Sequence, residues 1–546
     1  MTDGFSADVI IVGTGVVGCI VAEQALDAGL SVLMLEAGPR VERWQIVENY
    51  RNVPPLFKQH WNAAYPPKPW APHLETHTLA EEAEYLQLEG PNARAYRQGY
   101  VRYAGGATWH WAGICWRLHP DDMRMKTKYG VGRDWVFDYD TLEPYYTRAE
   151  YFMGVCGPPE VELQWPPLQR SKPYPMGRIP FGQGETRFTE AAAKVGIQNL
   201  PAPQARNSGV SYDGRPACCG NNNCFPVCPI AAKYDAATSL PKIEAKGGKI
   251  LANAVVYRVE TDDKQVVQAV HFFDPDKLTH RVTGKVFVVA CNAIETPKIL
   301  LMSRDERNPN GVANSSDQVG RNLMDQPKIA AQLVLSEPMW TGVGPVQGSS
   351  ILMTGQGDFR SRHAGAMFRC ENAALSGVGG MAALKKGLVG KALDTEIRRL
   401  SACTARLTIE HDILPDPNNR LTLSDKKDWL GISKPNIYYD VGDYVRRSHQ
   451  EYTLPLLKKL IAALGAVESE IATTFTNSDH MMGSCIMGSD PATSVVDADC
   501  RAHDHHNLFL PGGAAMTSAG VGNSTLTMAA LAMKASDAIV TQLKRG

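Results

Sequence analysis

Residues 7–36 read ADVIIVGTGVVGCIVAEQALDAGLSVLMLE, and the order of residue types in this stretch decides the fold. Positions 7 to 12 form a short, mostly apolar run rich in β-branched residues, as expected of a strand buried on both faces of a parallel sheet. Gly13-Thr14-Gly15-Val16-Val17-Gly18 follows, then a helical stretch to about Ala28, a stop at Gly29, and a second apolar strand, Ser31 to Leu35, ending at Glu36. Each residue type has a mechanical reason. Gly13 permits the tight turn, Gly15 lets the backbone approach a pyrophosphate, and Gly18 lets helix and sheet pack closely. The helix N-terminus offers unpaired N–H groups to the phosphates, and Glu36 can accept hydrogen bonds from a ribose. The stretch predicts a dinucleotide-binding unit; a glycine turn that merely packs is the alternative. Its place at the extreme N-terminus favours a permanently held FAD over an exchanging nicotinamide.

Around this unit, 546 residues suggest three or four domain-sized pieces of about 150 residues each. Hydrophobic residues at 44% and charged residues at 21% exclude a disordered, collagen-like or coiled-coil chain. With 56 Lys and Arg against 57 Asp and Glu, no global field draws the protein to nucleic acid or anionic lipid. The longest apolar run, Val9 to Ala22, is interrupted by three glycines and falls short of the roughly 20 residues of a membrane span. The first residues lack the basic start of a secretory signal, so by itself the chain reads as cytosolic.

Four of the twelve cysteines fall between Cys218 and Cys228, in CCGNNNCFPVCP, a stretch of loop composition in which thiols can converge without breaking a helix. Convergent thiolates bind soft metals. The spacing is not that of a zinc ribbon and no His lies nearby, while the final Cys-Pro resembles bacterial ferredoxin loops. Two adjacent cysteines rarely reach one cluster together, which favours three ligands over four. Zinc, buried thiols and a local disulfide remain the other readings. Cys370, Cys403, Cys485 and Cys500 lack ligand spacing and read as buried thiols.

Four further segments, with the N-terminus, resemble the glucose-methanol-choline (GMC) family of FAD oxidoreductases. Gly105-Gly106-Ala107-Thr108-Trp109-His110-Trp111 resembles its flavin-contacting loop, and Ile294-Glu295-Thr296-Pro297, after the apolar strand 285–290, resembles its second signature. Gly320-Arg321-Asn322-Leu323-Met324-Asp325 resembles another family segment, although Gln326 stands where the family usually has His. The stretch from His480 through Gly520-Val521-Gly522-Asn523-Ser524-Thr525 resembles the catalytic His, its Asn and a flavin-capping helix. Within the family the likeness runs end to end to the large catalytic subunits of bacterial membrane-bound sugar and polyol dehydrogenases. YGVGRDW (129–135), YDGRPACCGNNNC (212–224) and DPNNRL (416–421) carry it.

The resemblance implies an α/β fold: a Rossmann-like FAD-binding domain interleaved with an α+β substrate-binding domain containing an antiparallel sheet. Residues 1–50, 90–125, 200–330 and 475–546 fall to the first, and 51–89, 126–199 and 331–474 to the second. Helices are expected over 379–401 and 443–464, and the proline-rich stretch 52–72 is expected to form an aromatic-anchored excursion, a lid or a docking patch. His480 is expected to take the hydroxyl proton, since a neutral imidazole suits that task, and Asn523 to orient the reacting oxygen while also serving as a helix N-cap. Gly13, Gly15, Gly18, Glu36, Gly105, Gly106, His110, Val256, Gly522, Asn523 and Thr525 make up the implied FAD site. His110 is the implied point of covalent attachment, or else a ring stacked beside the flavin. The resemblance assigns a three-iron (3Fe-4S) cluster to Cys218, Cys224 and Cys228, with Cys219 a neighbour. It further implies a small chaperone-like subunit that carries the export signal and a membrane-anchored multihaem cytochrome c. That places the chain at the periplasmic face of the bacterial inner membrane. The expected reaction is oxidation of a sugar or polyol hydroxyl, D-sorbitol to L-sorbose or D-fructose to 5-keto-D-fructose first, gluconate or glucose next. An oxygen-using flavin oxidase and a non-enzymatic electron-transfer module are the rivals.

Overall fold

A computed structural model describes residues 5–52, 85–92, 99–159, 168–354, 357–374 and 376–545. Nearly all of the 52–72 excursion lies outside the described residues. The N-terminal stretch forms strand β1 (Ser6–Val12), helix α1 (Val16–Asp27) and strand β2 (Val32–Leu35). β1 and β2 pair in parallel. The helix stops where Gly29 turns to a φ of +83°, a conformation that costs glycine little.

Later strands complete the sheet: β3 (Lys249–Leu251), β4 (Val255–Thr261), β5 (Val267–Phe273) and β6 (Thr279–Val289), in the order β3-β2-β1-β6-β5-β4. The two-residue strand Leu508–Phe509 adds to β6 in parallel, so the C-terminal part of the chain returns to the N-terminal sheet. Val9, Ile10 and Ile11 are fully buried, as are Val286, Phe287 and Val288 opposite them, which is the pattern of central strands covered on both faces. Helix α2 (Tyr139–Met153) and helix α3 (Thr525–Arg545) pack with α1 on this core. The boundaries drawn from the sequence put 126–199 with the substrate-binding part. The apolar face of α2, through Leu142, Tyr146, Ala149 and Met153, instead buries itself in the first core.

A second sheet is antiparallel throughout. Its strands β7 (Lys328–Leu335), β8 (Ser349–Met353), β9 (Ala366–Cys370), β10 (Thr404–His411) and β11 (Ala466–Ile471) run in the order β11-β7-β10-β9-β8, closed by the short strand Leu200–Pro201. Period-2 alternation gives this sheet two unlike faces. Ala331, Leu333, Phe368, Leu407 and Ile409 pack into a second core with helices Gln183–Lys194 and Leu454–Ala463. Lys328, Arg369, Arg406 and Glu410 alternate with them and point to the opposite face.

The helix expected over 379–401 is two, Ser376–Lys385 and Gly390–Cys403, because Gly387 and Gly390 both take positive φ. That expected over 443–464 runs as Gly442–Ser448, one π-helical turn over His449–Thr453, and Leu454–Ala463. None of the twelve cysteines forms a disulfide, and Cys370, Cys403, Cys485 and Cys500 are buried. Among the described residues, no helix is long and apolar enough to cross a membrane.

A Cβ added to Gly18 would lie 2.1 Å from the Gly13 carbonyl oxygen, so α1 touches the turn it follows. One added to Gly15 would meet nothing within 4 Å. Gly18→Ala is therefore expected to cost about 1–3 kcal/mol, the usual penalty of overpacking. Gly15→Ala is expected to leave the melting temperature of the flavin-free protein unchanged. Equal melting of the two variants would contradict this packing.

Candidate active site

The two sheets enclose a cavity of about 660 Å³, within the range of small-molecule sites. Gly13, Gly15, Glu36 and Val256 line it, as do Gly106 and His110, and so do His480, Asn523 and Thr525 together with Lys328 and Glu410 of the second sheet. Gly18, Gly105 and Gly522 do not line it. They allow close packing: Cβ atoms there would strike Gly13, Trp109 and Trp116 respectively.

At the dinucleotide end, Glu36 is held by the turn it follows. One of its oxygens accepts from the Thr14 N–H at 3.1 Å and hydroxyl at 2.6 Å, the other from the Gly38 N–H at 3.0 Å. Burial pushes its carboxyl above the ordinary range against those hydrogen bonds. A carboxylate offers roughly four lone-pair positions, so Glu36 retains capacity for a hydroxyl donor from the cavity. Thr14 also accepts from Gly105 N–H at 3.1 Å, which fastens the 105–111 loop over the glycine turn. The open space over Gly15 and the start of α1 form a cradle that a side chain would fill. These residues fit FAD, with its pyrophosphate over the helix N-terminus and a ribose at Glu36.

At the other end, Asp325 organises the chemistry. It is fully buried, and one oxygen accepts from the N–H groups of Gln326 (2.6 Å) and Ser478 (2.9 Å), the other from that of His480 (3.1 Å). Burial, with the neighbouring Asp479, pushes its carboxyl up to about 7. Gln326, whose role the sequence left in doubt, is explained by this clasp. Its amide nitrogen donates to the carbonyls of Gly520 (2.8 Å) and Gly522 (2.9 Å), which fixes the amide orientation and turns its oxygen to His480 Nδ1 at 2.6 Å. Nδ1 must then carry the imidazole proton, leaving the Nε2 lone pair free to accept. Asn523 Nδ2 lies 3.3 Å from that Nε2. The Asn523 carbonyl oxygen is buried without a hydrogen-bond partner, so the side chain faces His480 and does not cap α3 as expected. Burial also holds the His480 imidazole below its usual value, opposed by the Glu410 carboxylate.

His110 is buried on the cavity wall between Trp109 and Trp111. The loop around it is tied to the cysteine loop by Lys233. That buried ammonium donates to the carbonyls of Trp109 (2.9 Å), Trp111 (2.6 Å) and Cys224 (3.2 Å), and burial pushes it down to about 8. Arg206 Nη1 lies 2.9 Å from the sulfur of Cys224 and 4.0 Å from that of Cys218. Although burial opposes it, Arg206 brings the Cys224 thiol below its ordinary value. Cys228 is buried beside them and Cys219 points to solvent. Among the described residues, no three His, Cys, Asp or Glu side chains converge as a metal site, and the Arg206 guanidinium lies against the sulfurs of Cys218 and Cys224.

Sequence reasoning missed Asp325, Lys233 and the charged face of the second sheet. The signal for the last was a charged residue inside an apolar strand, Glu410 after Ile409.

A glycine-turn dinucleotide crevice facing a buried imidazole kept neutral is the arrangement of a flavin-dependent alcohol oxidoreductase. Models of GMC oxidoreductases match residues 7–328 and 415–532, and the chain belongs to this family of FAD-dependent enzymes acting on CH–OH groups. It is 51% identical to the fructose dehydrogenase large subunit of Gluconobacter japonicus, with 99% of each chain covered. It is 24% identical to the gluconate 2-dehydrogenase flavoprotein of Pantoea cypripedii over 98% of this chain and 94% of that one. Pyridoxine 4-oxidase from Mesorbium loti shares the fold, with a TM-score of 0.65, 18% identity and 99% of each chain covered.

His480→Ala is expected to lower kcat by about 100- to 10,000-fold, the usual worth of a positioned general base. Because His480 titrates below the ordinary imidazole value of about 6.5, kcat/KM should stay flat as pH falls to that point and drop only beneath it. Gln326→Glu places a carboxylate on Nδ1–H, favours the imidazolium, and should move that acid limb upward. An unmoved limb in a pH–rate profile would refute the orienting role of Gln326.

Proposed function

We propose that this protein is an FAD-dependent dehydrogenase of a sugar or polyol, with D-fructose and D-sorbitol the first candidates. The observation that carries the reading is the His480–Gln326 pair at the cavity, joined to end-to-end similarity with a fructose dehydrogenase large subunit. When bound, FAD supplies the hydride acceptor. The chain supplies the rest. His480 Nε2 accepts the hydroxyl proton, Asn523 orients the reacting oxygen through its amide, and α3 directs its N-terminus at the cavity, where it favours negative charge. His110 is the candidate for covalent attachment of the flavin.

Cys218, Cys224 and Cys228 are the residues we assign to an iron-sulfur cluster, most simply of three irons, which when bound supplies a one-electron exit. The support is chemical. Arg206 and Lys233 place two buried cations beside the sulfurs, an environment suited to thiolates. Phe225 and Pro226 of the same loop line the cavity wall. With it we infer, from the resemblance to the large subunits of membrane-bound sugar dehydrogenases, a partner that collects electrons, a membrane-anchored multihaem cytochrome c. The same reading includes a small chaperone-like subunit carrying the export signal, and a place at the periplasmic face of the inner membrane.

The purified chain should reduce artificial dyes with a sugar or polyol, make no stoichiometric peroxide, and fail to reduce quinone in membranes without partners. It should contain iron and acid-labile sulfide, and the oxidised protein should give the paramagnetic signal of a three-iron cluster. Cys224→Ser should lose iron while keeping flavin. Stoichiometric peroxide would favour an oxidase, and zinc without iron would overturn the cluster.

A further inference from the structure

The face of the second sheet that meets the cavity is charged, and its charges are unevenly satisfied. Arg369 on β9 pairs with Glu410 on β10, Nη2 to Oε1 at 2.8 Å, and also donates to Thr408 (2.8 Å) and Gln347 (2.9 Å). Arg406 pairs with Glu371 at 3.7 Å. Two groups are left over. The second oxygen of Glu410 is buried, in a residue only 1% exposed, and makes no hydrogen bond of good geometry: the nearby Ser478 hydroxyl lowers the Glu410 carboxyl but is turned to the Gln326 carbonyl at 2.7 Å. Lys328, directly across the β7–β10 ladder from Glu410, has no carboxylate within ion-pair distance among the described residues.

A buried carboxylate oxygen without a well-aligned donor is costly, on the order of 1–3 kcal/mol or more, so its persistence beside a cavity points to a donor that arrives from the cavity. The same backbone carries both groups to the reacting centre. Lys328 exchanges two hydrogen bonds with Thr476, at 2.6 and 2.9 Å, four residues before His480. Glu410 acts on the charge of His480 and Lys328 alike. The cationic lining residues here, Lys328, Arg369 and Arg406, are balanced by Glu371, Glu410 and Asp479. A region with no net charge, one free acceptor and one free donor suits a neutral molecule presenting adjacent hydroxyls. An aldonate carboxylate could use Lys328 but would set its own charge against Glu410.

Resting on the dehydrogenase reading above, we propose that Glu410 Oε2 and Lys328 Nζ form the specificity subsite for a neutral vicinal diol. Glu410 accepts from one hydroxyl and Lys328 donates to its neighbour, while a third hydroxyl is presented to His480. Both are specificity-determining residues; neither takes part in proton removal.

The test uses flavin-loaded enzyme with a dye acceptor against D-fructose, D-sorbitol and D-gluconate, together with flavin absorbance titrated with each compound. Wild type should favour the neutral substrates. Glu410→Gln and Lys328→Met should each raise KM and the titrated Kd for them roughly tenfold or more, with kcat changed far less. A substrate lacking the matching hydroxyl should show little further loss in the corresponding variant. If Glu410→Gln fails to hold flavin, Lys328→Met carries the same measurement. The subsite is overturned if either soluble variant loses kcat with KM and Kd unchanged, or if wild type prefers gluconate. That second outcome leaves the dehydrogenase reading standing, whereas reduction of dye by none of the three compounds would remove that reading itself.

Discussion

The Asp325 carboxylate is the constraint on which the active site depends. A buried carboxylate without a cation is expensive, and here three backbone N–H groups from two distant segments meet it. Those segments are the turn entering β7 of the second sheet and the loop 476–480 that leads back to the first. Closing the clasp sets the backbone of Gln326 and His480 in one step. From there, Gln326 uses the carbonyls of Gly520 and Gly522 as a fixed reference and hands orientation to the imidazole. The His480 imidazole is thus positioned by a relay of hydrogen bonds that reaches from the second sheet to the start of α3.

A second buried charge performs a comparable task on the opposite wall. Among the described residues Lys233 donates only to carbonyl oxygens, and they belong to both the flavin-facing loop and the cysteine loop. Removing water from an ammonium is tolerable when several carbonyl dipoles replace it. The consequence is mechanical: the loop bearing His110 and the loop bearing Cys224 cannot shift independently. Arg206, beside the sulfurs, adds a second cation to the same wall. The cavity therefore has one part organised by a buried carboxyl group and another by buried cations.

Much of the first sheet was legible because its signals are local. Gly13, Gly15 and Gly18 declare a turn, a close approach and a helix contact, and the apolar run before them can only be a doubly covered strand. Glu36 is found by position alone. The helix expected over 379–401 was misread because apolar periodicity continues through Gly387 and Gly390 while the backbone does not. Helix α2 was placed with the wrong part for a related reason: its amphipathic face is visible in sequence, but which core receives that face is not.

By itself, the sequence determined that a dinucleotide crevice lies at the N-terminus and that thiols cluster in a loop, since short-range spacing encodes these; that His480 and Asn523 belong to one site came from the resemblance to the GMC family. Only the tertiary structure decided the tautomer of His480, the facing of Asn523, the position of Arg206 between two sulfurs, and the pairing of Glu410 with Arg369 but not with Lys328. These depend on contacts between residues dozens to hundreds of positions apart. In such contacts the result is set by which hydrogen-bond partners remain once every buried polar group has competed for them, and that competition has no local signature.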